Sequence, residues 1–460
     1  MRHVCHPVQK LRAEGSDGRD GGVRTVGDFY PDGLLDGFLQ DLNYVAMTEP
    51  GRSTVRDLRR SNRSALLWEL LFSAPLTRPD LSRATGLSPA TVSNLVSEFL
   101  TEGLAVGTGL VDSDGGRPRS LLTLNPTHGY LIGVVVGETV VRVELFDLAL
   151  TALAKVDYPL APDQHGIDLI VSRIADGIQA VITRAGVAES TIIGVGIGVP
   201  GVVLHEPEAV VDAQAFGWDR VPIERLLRAH TGLPLDIDNG AQTMGRAEMW
   251  FGAGKGRRHA VIALIGSGIG ASIIINGRPY RGVGSAGEWG HTTIHVDGRL
   301  CRCGARGCLE AYVGAEGILA RYRQATKTRN RPAGDEEAEI AALLRAADTS
   351  TVAASILAET AQYLGTGIAN LVNLFSPEAV IIGGWAGLAF GPRLLPATRA
   401  AAARQSLRAP FAQTSIELGQ LGPDAVTLGA ATLPLERLLG GGRPIRGVPT
   451  RRGIGQPQRG

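Results

Sequence analysis

Apolar residues recur along this chain with two periods, and the change from one to the other divides it. Over 56–72, Ala65, Leu66, Leu67, Leu70 and Leu71 fall on helical spacing behind Arg56, Arg59, Arg60 and Arg63. Thr77-Arg78-Pro79-Asp80 starts a second helix, with a capping hydroxyl and a carboxylate three residues on; Gly86 stops it. Ser88-Pro89 caps a third. Along it Val92, Leu95, Val96, Phe99 and Leu100 form one apolar face, while Ala90, Thr91, Ser93, Asn94 and Ser97 lie opposite. A turn at 114–119, ending Arg117-Pro118-Arg119, then leads into an apolar strand at 121–124. Helix, tight turn, capped helix and basic hairpin, in that order, predict a winged helix-turn-helix over 54–125. The short polar groups Ser88, Ala90, Thr91, Ser93 and Asn94 suit the floor of a major groove. Arg117 and Arg119 suit a wing that enters the minor groove or grips phosphate.

After Pro126-Thr127-His128 the texture changes to strands. Runs at 131–137, 140–146 and 153–158 precede a helix at 167–184 and a buried strand at 191–199. A short helix at 222–230, a strand at 235–237 and a helix at 241–251 follow. Strands at 260–265 and 271–275 flank a glycine-rich turn, Gly266-Ser267-Gly268-Ile269-Gly270. Helices are expected at 311–323, 336–347 and 351–374, and a strand at 379–382. Residues 1–53 and 440–460 mix Gly, Arg, Pro and Asp without sustained period, and both are expected to be disordered. Met47-Thr48-Glu49-Pro50 resembles a translation start, and Cys5 has no partner nearby.

The 460 residues suffice for two or three domains with large cores. A net charge of +1 means that any contact with nucleic acid must be local. No apolar run approaches the ~20 residues of a membrane helix. With no secretory signal in view, the expected location is cytoplasmic.

Candidate chemistry concentrates in one stretch. Cys301, Cys303 and Cys308 fall within eight residues, separated by Gly304 and Gly307, and His291 lies ten residues before the first. Cys3His is a common ligand set for structural zinc, and glycines between thiols let backbone fold around one ion. These four residues are the expected Zn2+ ligands. A metal here would also pin Glu288 and Glu310, whose carboxylates suit hydrogen bonds to sugar hydroxyls.

At these residues the chain resembles the ROK family of repressors, open reading frames and sugar kinases. The hallmarks are Gly287-Glu288-Trp289-Gly290-His291 and Cys301-Arg302-Cys303-Gly304-Ala305-Arg306-Gly307-Cys308-Leu309-Glu310. The resemblance spans about 56–439. It implies an α/β, actin-like (ribonuclease-H-type) two-lobed sugar-kinase fold at 128–439, preceded by the winged helix-turn-helix. It also implies that Glu288, His291 and Glu310 contact sugar, with Asn239 at a neighbouring sugar-binding position.

The chemistry of the family's kinases needs two carboxylates that are missing. Without a positioned base a sugar hydroxyl is a poor nucleophile, and that step contributes roughly 10²–10⁴-fold. The family's first motif places an aspartate where this chain has Val135, and a glycine where it has Glu138, whose charge would repel triphosphate. Counting back from Glu248, Gly240 stands at the catalytic aspartate, and Asp238 is two residues off that register. The expectation is a sugar-responsive transcriptional regulator, a repressor of carbohydrate uptake or catabolism genes without kinase activity. Its partners would be operator DNA and a sugar or sugar phosphate, and it would form a homodimer or homotetramer. The alternative is an active sugar kinase with an appended DNA-binding domain.

Overall fold

The computed structural model describes residues 54–113, 116–205, 207–327 and 336–440. The extension expected at 1–53, with Cys5 and Met47, and the tail beyond Gly440 lie outside the described residues.

Three helices open the described chain: α1 (Val55–Phe72), α2 (Arg78–Thr85) and α3 (Pro89–Thr101). Each starts where a side chain satisfies a free amide. Thr54 and Thr77 form reciprocal capping boxes with Asp57 and Asp80, and Ser88 accepts from the Thr91 amide. Gly86, at φ 69°, ends α2 in the left-handed turn that the sequence foreshadows. Strands β1 (Ala105–Ser113) and β2 (Gly116–Leu124) pair antiparallel as the hairpin. Leu66, Leu70, Leu81, Val92, Val96 and Phe99 are buried together. Arg59 and Arg63 of α1 are ion-paired with Glu98 and Glu102 of α3, and Arg63 also lies over the Phe99 ring. Those two arginines therefore hold helix to helix.

The first lobe is built from β3 (Tyr130–Val136), β4 (Val140–Asp147), β5 (Ala152–Pro159), α4 (Ile167–Ala185) and β6 (Ile192–Val199). A small three-stranded sheet follows, β7 (Val202–Leu204), β8 (Val210–Ala213) and β9 (Trp218–Val221), and then α5 (Ile223–Arg228), β10 (Leu235–Asn239) and α6 (Gly240–Phe251). The main sheet has the order β10-β6-β3-β4-β5, with β6 parallel to both β3 and β10.

The second lobe repeats this plan. It comprises β11 (Ala260–Ile265), β12 (Ile269–Ile275), β13 (Arg278–Pro279), α7 (Glu310–Val313), α8 (Ala315–Thr326), α9 (Glu336–Ala346) and α10 (Thr351–Phe375). The remainder is β14 (Ala379–Gly383), α11 (Trp385–Gln405), α12 (Arg408–Gln413), β15 (Ser415–Leu418) and α13 (Ala425–Gly440). The sheet order is β13-β12-β11-β14-β15. Each lobe thus carries a five-stranded mixed sheet with helices against it, the two-lobed α/β fold implied by the sequence.

The sequence reading places no element after β14. Pro392 and Pro396 interrupt the pattern of α11, and Pro434 that of α13. The last helix is buried almost all round, so it shows no amphipathic stripe. It lies directly on the first-lobe sheet because the sheet offers glycine there: a Cβ on Gly133 would stand 2.0 Å from the Thr427 carbonyl oxygen, and one on Gly196 1.8 Å from that of Ala430. The same helix buries Ala431, Leu435 and Leu439 against the core of α1–α3.

Candidate functional site

The Cys/His loop runs between β13 and α7. A short turn, Trp289–His291, is anchored by the buried Trp289, whose Nε1 donates to the Gly367 carbonyl of α10 at 3.2 Å. The loop closes on itself through Cys301 N to Ala305 O at 2.8 Å and Gly304 N to Cys301 O at 3.0 Å. Gly307 sits at φ 77°, and a Cβ there would lie 1.8 Å from the His295 carbonyl oxygen. Only glycine fits. The result gathers His291, Cys301, Cys303 and Cys308, whose ligand atoms all lie within 4.8 Å of one another. Cys303 Sγ to Cys308 Sγ is 3.7 Å, and Cys301 Sγ to His291 Nδ1 is 3.7 Å. Zinc with ~2.3 Å thiolate bonds in a tetrahedron separates its ligands by about 3.8 Å. The donor set and its spacing therefore fit a metal ion. Burial pushes the Cys301 thiol up to about 12.

Arg302, between two of these cysteines, is a residue that the sequence reading gave no role. Its guanidinium bonds Glu138 through both terminal nitrogens, and it also meets Glu310 at 3.2 Å and Glu316 at 3.4 Å. Burial opposes its charge, but Glu138, Glu310 and Glu316 outweigh that and hold its pKa above the usual value. Glu138 belongs to the β3–β4 turn of the first lobe, so this ion pair ties the two lobes together. The charge of Glu138, expected from the sequence to repel triphosphate, is paired with Arg302. Glu310 Oε2 also accepts from the Ile269 amide at 2.9 Å, within the glycine-rich turn. That turn gives one amide to a carboxylate, and a Cβ on Gly268 would meet Glu310, Arg302 and Glu138. An internal ion pair therefore passes beside the glycine-rich turn.

Asp238, Asn239 and Gly240 lie at the β10–α6 junction. Gly240 is the first residue of α6 and has no side chain to act as a base. Asp238 is 4% exposed and bound in bidentate fashion by Arg281, at 2.9 and 2.5 Å. Asn239 caps α6, accepting from the Ala241 and Gln242 amides at 2.8 and 3.3 Å, while its Nδ2 donates to Gly201 O at 2.7 Å. Val135 sits in β3 opposite Arg142 and packs beside the cluster of Met244 and Val426. Val135 and Gly240 thus offer no carboxylate at these two positions.

Two cavities flank this region. One is lined by Gly201, Asp238, Asn239, Gln242, Arg281 and Glu288 among others. The other is lined by Ser267, Cys301, Arg302, Glu310 and Glu316 among others. The structure brings Asn239 and Glu288 together, but Glu310 faces the second cavity, and His291 faces Cys301 in the thiol cluster. Desolvation raises the Glu288 pKa; the His291 charge works against that and Glu310 adds to it. Arg281 is a lining residue that sequence reasoning missed. Its signal was one of two arginines, with Arg278, shortly before the Gly-Glu motif, which no spacing rule singles out.

On the N-terminal helices Ala90, Ser93 and Asn94 are exposed on α3. Ser88 and Thr91 share a 2.9 Å hydroxyl contact, so both are partly engaged in capping. Arg119 is exposed on β2 opposite Val111; the Arg117 side chain lies outside the described residues.

Comparison with known proteins is consistent with this geometry. The ROK family matches residues 131–437. The xylose repressor of Caldicellulosiruptor bescii is 32% identical over 389 residues, 83% of this chain and 97% of the relative. The glucokinase of Halalkalibacterium halodurans is 32% identical over 314 residues, 66% of this chain and 94% of the relative. Residues 131–460 make up less than 83% of the chain, so the repressor alignment must take in part of the N-terminal helices. A crystal structure of a ROK family transcriptional regulator, a homologue of the Escherichia coli Mlc protein, superposes with a TM-score of 0.67 at 24% identity, covering 83% of this chain and 97% of that one. This chain belongs to the ROK family.

Proposed function

We propose that this protein is a sugar-responsive, DNA-binding transcriptional repressor of carbohydrate uptake or catabolism genes, without kinase activity. The observation that carries the reading is the β10–α6 junction. Gly240 stands where a base is needed, and Asp238 is consumed by Arg281. Arg302 and Glu138, meeting across the lobes where phosphates would lie, support it. The α2–α3 pair and the β1–β2 hairpin supply the operator-binding module, with Ala90, Ser93 and Asn94 toward bases and Arg119 toward the backbone.

Sugar binds between the lobes beside Asn239 and Glu288, and Glu310 and His291 would join the site on the lobe rearrangement that the effector favours. Several relatives carry the name xylose repressor, so D-xylose is the first effector to try. Zinc on His291, Cys301, Cys303 and Cys308 would hold the loop that carries Glu310, a structural role that needs no open coordination position. The effector favours one lobe arrangement and so changes the spacing of the DNA-binding modules in a cytoplasmic homo-oligomer.

The test uses the zinc-loaded full chain in a thermal melt with D-xylose, D-glucose and their phosphates, each with and without Mg–ATP. A ligand that binds the native state raises the melting temperature. A shift with one sugar that is indifferent to ATP supports the sensor. Sugar phosphorylation above the level of a Glu288→Ala control would replace it with the alternative of an active kinase.

A further inference from the structure

We infer that α6 and an aromatic joint at its C-terminal end transmit effector binding to the DNA-binding helices. This rests on the sugar-sensor reading above. The helix has twelve residues and is about 18 Å long at 1.5 Å per residue. Its first turn is in the proposed effector cavity: Asn239 caps it, and Gln242 donates to the Ala286 carbonyl at 3.1 Å, two residues before Glu288. Residues 241–248 are buried throughout, so the helix moves as a rod rather than bending.

Its last turn carries Trp250 and Phe251, and these meet α1. Trp250 lies edge-on to Trp68 with centroids 5.0 Å apart, and edge-on to Phe72 at 5.7 Å. Phe251 reaches Phe72 at 5.8 Å. All four rings are only half-buried. They form a small contact between two bodies rather than part of either core. Edge-to-face pairs of this kind have a ring geometry that can re-seat without opening a cavity. A third element braces the rod. Arg246 stacks over Trp250 at 5.0 Å and bonds Glu436 at 2.6 Å and Thr432 at 3.2 Å on α13. Because α13 also packs on α1, α6 and α13 together present one rigid surface to the DNA-binding module. A shift of the pocket end of α6 must therefore displace the joint. The aromatic contacts are the soft link in an otherwise close-packed path, which is where two discrete arrangements are feasible.

The test compares two quantities in the full chain: affinity for a DNA duplex enriched from random sequence by the wild-type protein, and the change in that affinity on adding D-xylose or D-glucose. Wild-type coupling should fall in the ordinary range of about 5–150-fold. Trp250→Leu should bind DNA and sugar separately as wild type does, while the coupling falls to nearly one. Trp250→Phe, which keeps an edge-to-face partner, should restore much of it. Trp68→Leu approaches the same joint from the other side and should not lower coupling further when combined with Trp250→Leu. If Trp68→Leu weakens DNA binding by itself, Trp250→Leu decides, since it stands outside α1–α3. Full coupling in Trp250→Leu overturns the inference and leaves the sensor reading intact. A wild-type chain whose DNA affinity ignores both sugars overturns both.

Discussion

Replacing Arg281 by methionine tests whether the pair with Asp238 holds the β10–α6 junction. The substitution keeps the aliphatic stem and removes the guanidinium. Asp238 then retains a single hydrogen bond, from the Asn239 amide at 2.8 Å, in place of three. Stranding a fully buried carboxylate costs about 3–5 kcal/mol. Here the aspartate side chain is 5% exposed but that of Arg281 is 40% exposed, so water reaches the site from one side and screens the charge. We therefore expect roughly half the fully buried cost, ~2 kcal/mol. The assay is urea unfolding, read as a lower midpoint at an unchanged slope. Asp238→Asn in the Arg281→Met background removes the stranded charge and should recover most of the loss, giving a coupling energy of ~1–2 kcal/mol in the double-mutant cycle. An Arg281→Met midpoint equal to that of wild type would refute the reasoning. So would a double variant as unstable as the sum of the single ones.

Cys301→Ser should lower bound zinc well below one ion per chain by mass spectrometry and abolish the sugar-induced thermal shift, because metal binding and loop folding are coupled; one full zinc per chain would remove Cys301 from the ligand set. Arg119→Ala should weaken operator binding and reduce the slope of log affinity against log salt by about one, and an unchanged slope would take the wing off the phosphate backbone. Sugar affinity should be present above the raised Glu288 pKa and fall as pH drops through it, so the loss begins above the usual glutamate range. Glu288→Gln should flatten that profile in titration calorimetry, and an identical profile in the variant would assign it elsewhere.

Local signals in the sequence were strong wherever a side chain answers to its neighbours in the chain. The Thr77–Asp80 box, Gly86 and Ser88-Pro89 fix helix ends through bonds spanning two to five residues, and α2 and α3 begin and end there. Cys301, Cys303 and Cys308 read as a candidate metal cluster because a single turn can gather them. Val135 and Gly240 are visible by register alone as positions without a carboxylate. The pairings of distant residues were not visible. Glu138 and Arg302 are 164 positions apart, Asp238 and Arg281 43, and Arg246 and Glu436 190.

The sequence by itself determined the three opening helices and most elements up to β14, and it marked His291, Cys301, Cys303 and Cys308 as candidate ligands, because each depends on short-range geometry or on residue identity. Only the tertiary structure decided that Arg302 spans the lobes, that Asp238 is consumed by Arg281, and that Trp250 meets Trp68. It also placed α13, whose prolines and uniform burial erase the periodicity by which a helix is read. The physical reason is the same in each case. An ion pair or ring contact between distant segments leaves no spacing in the chain, since its partners are brought together by the packing of sheets and helices between them.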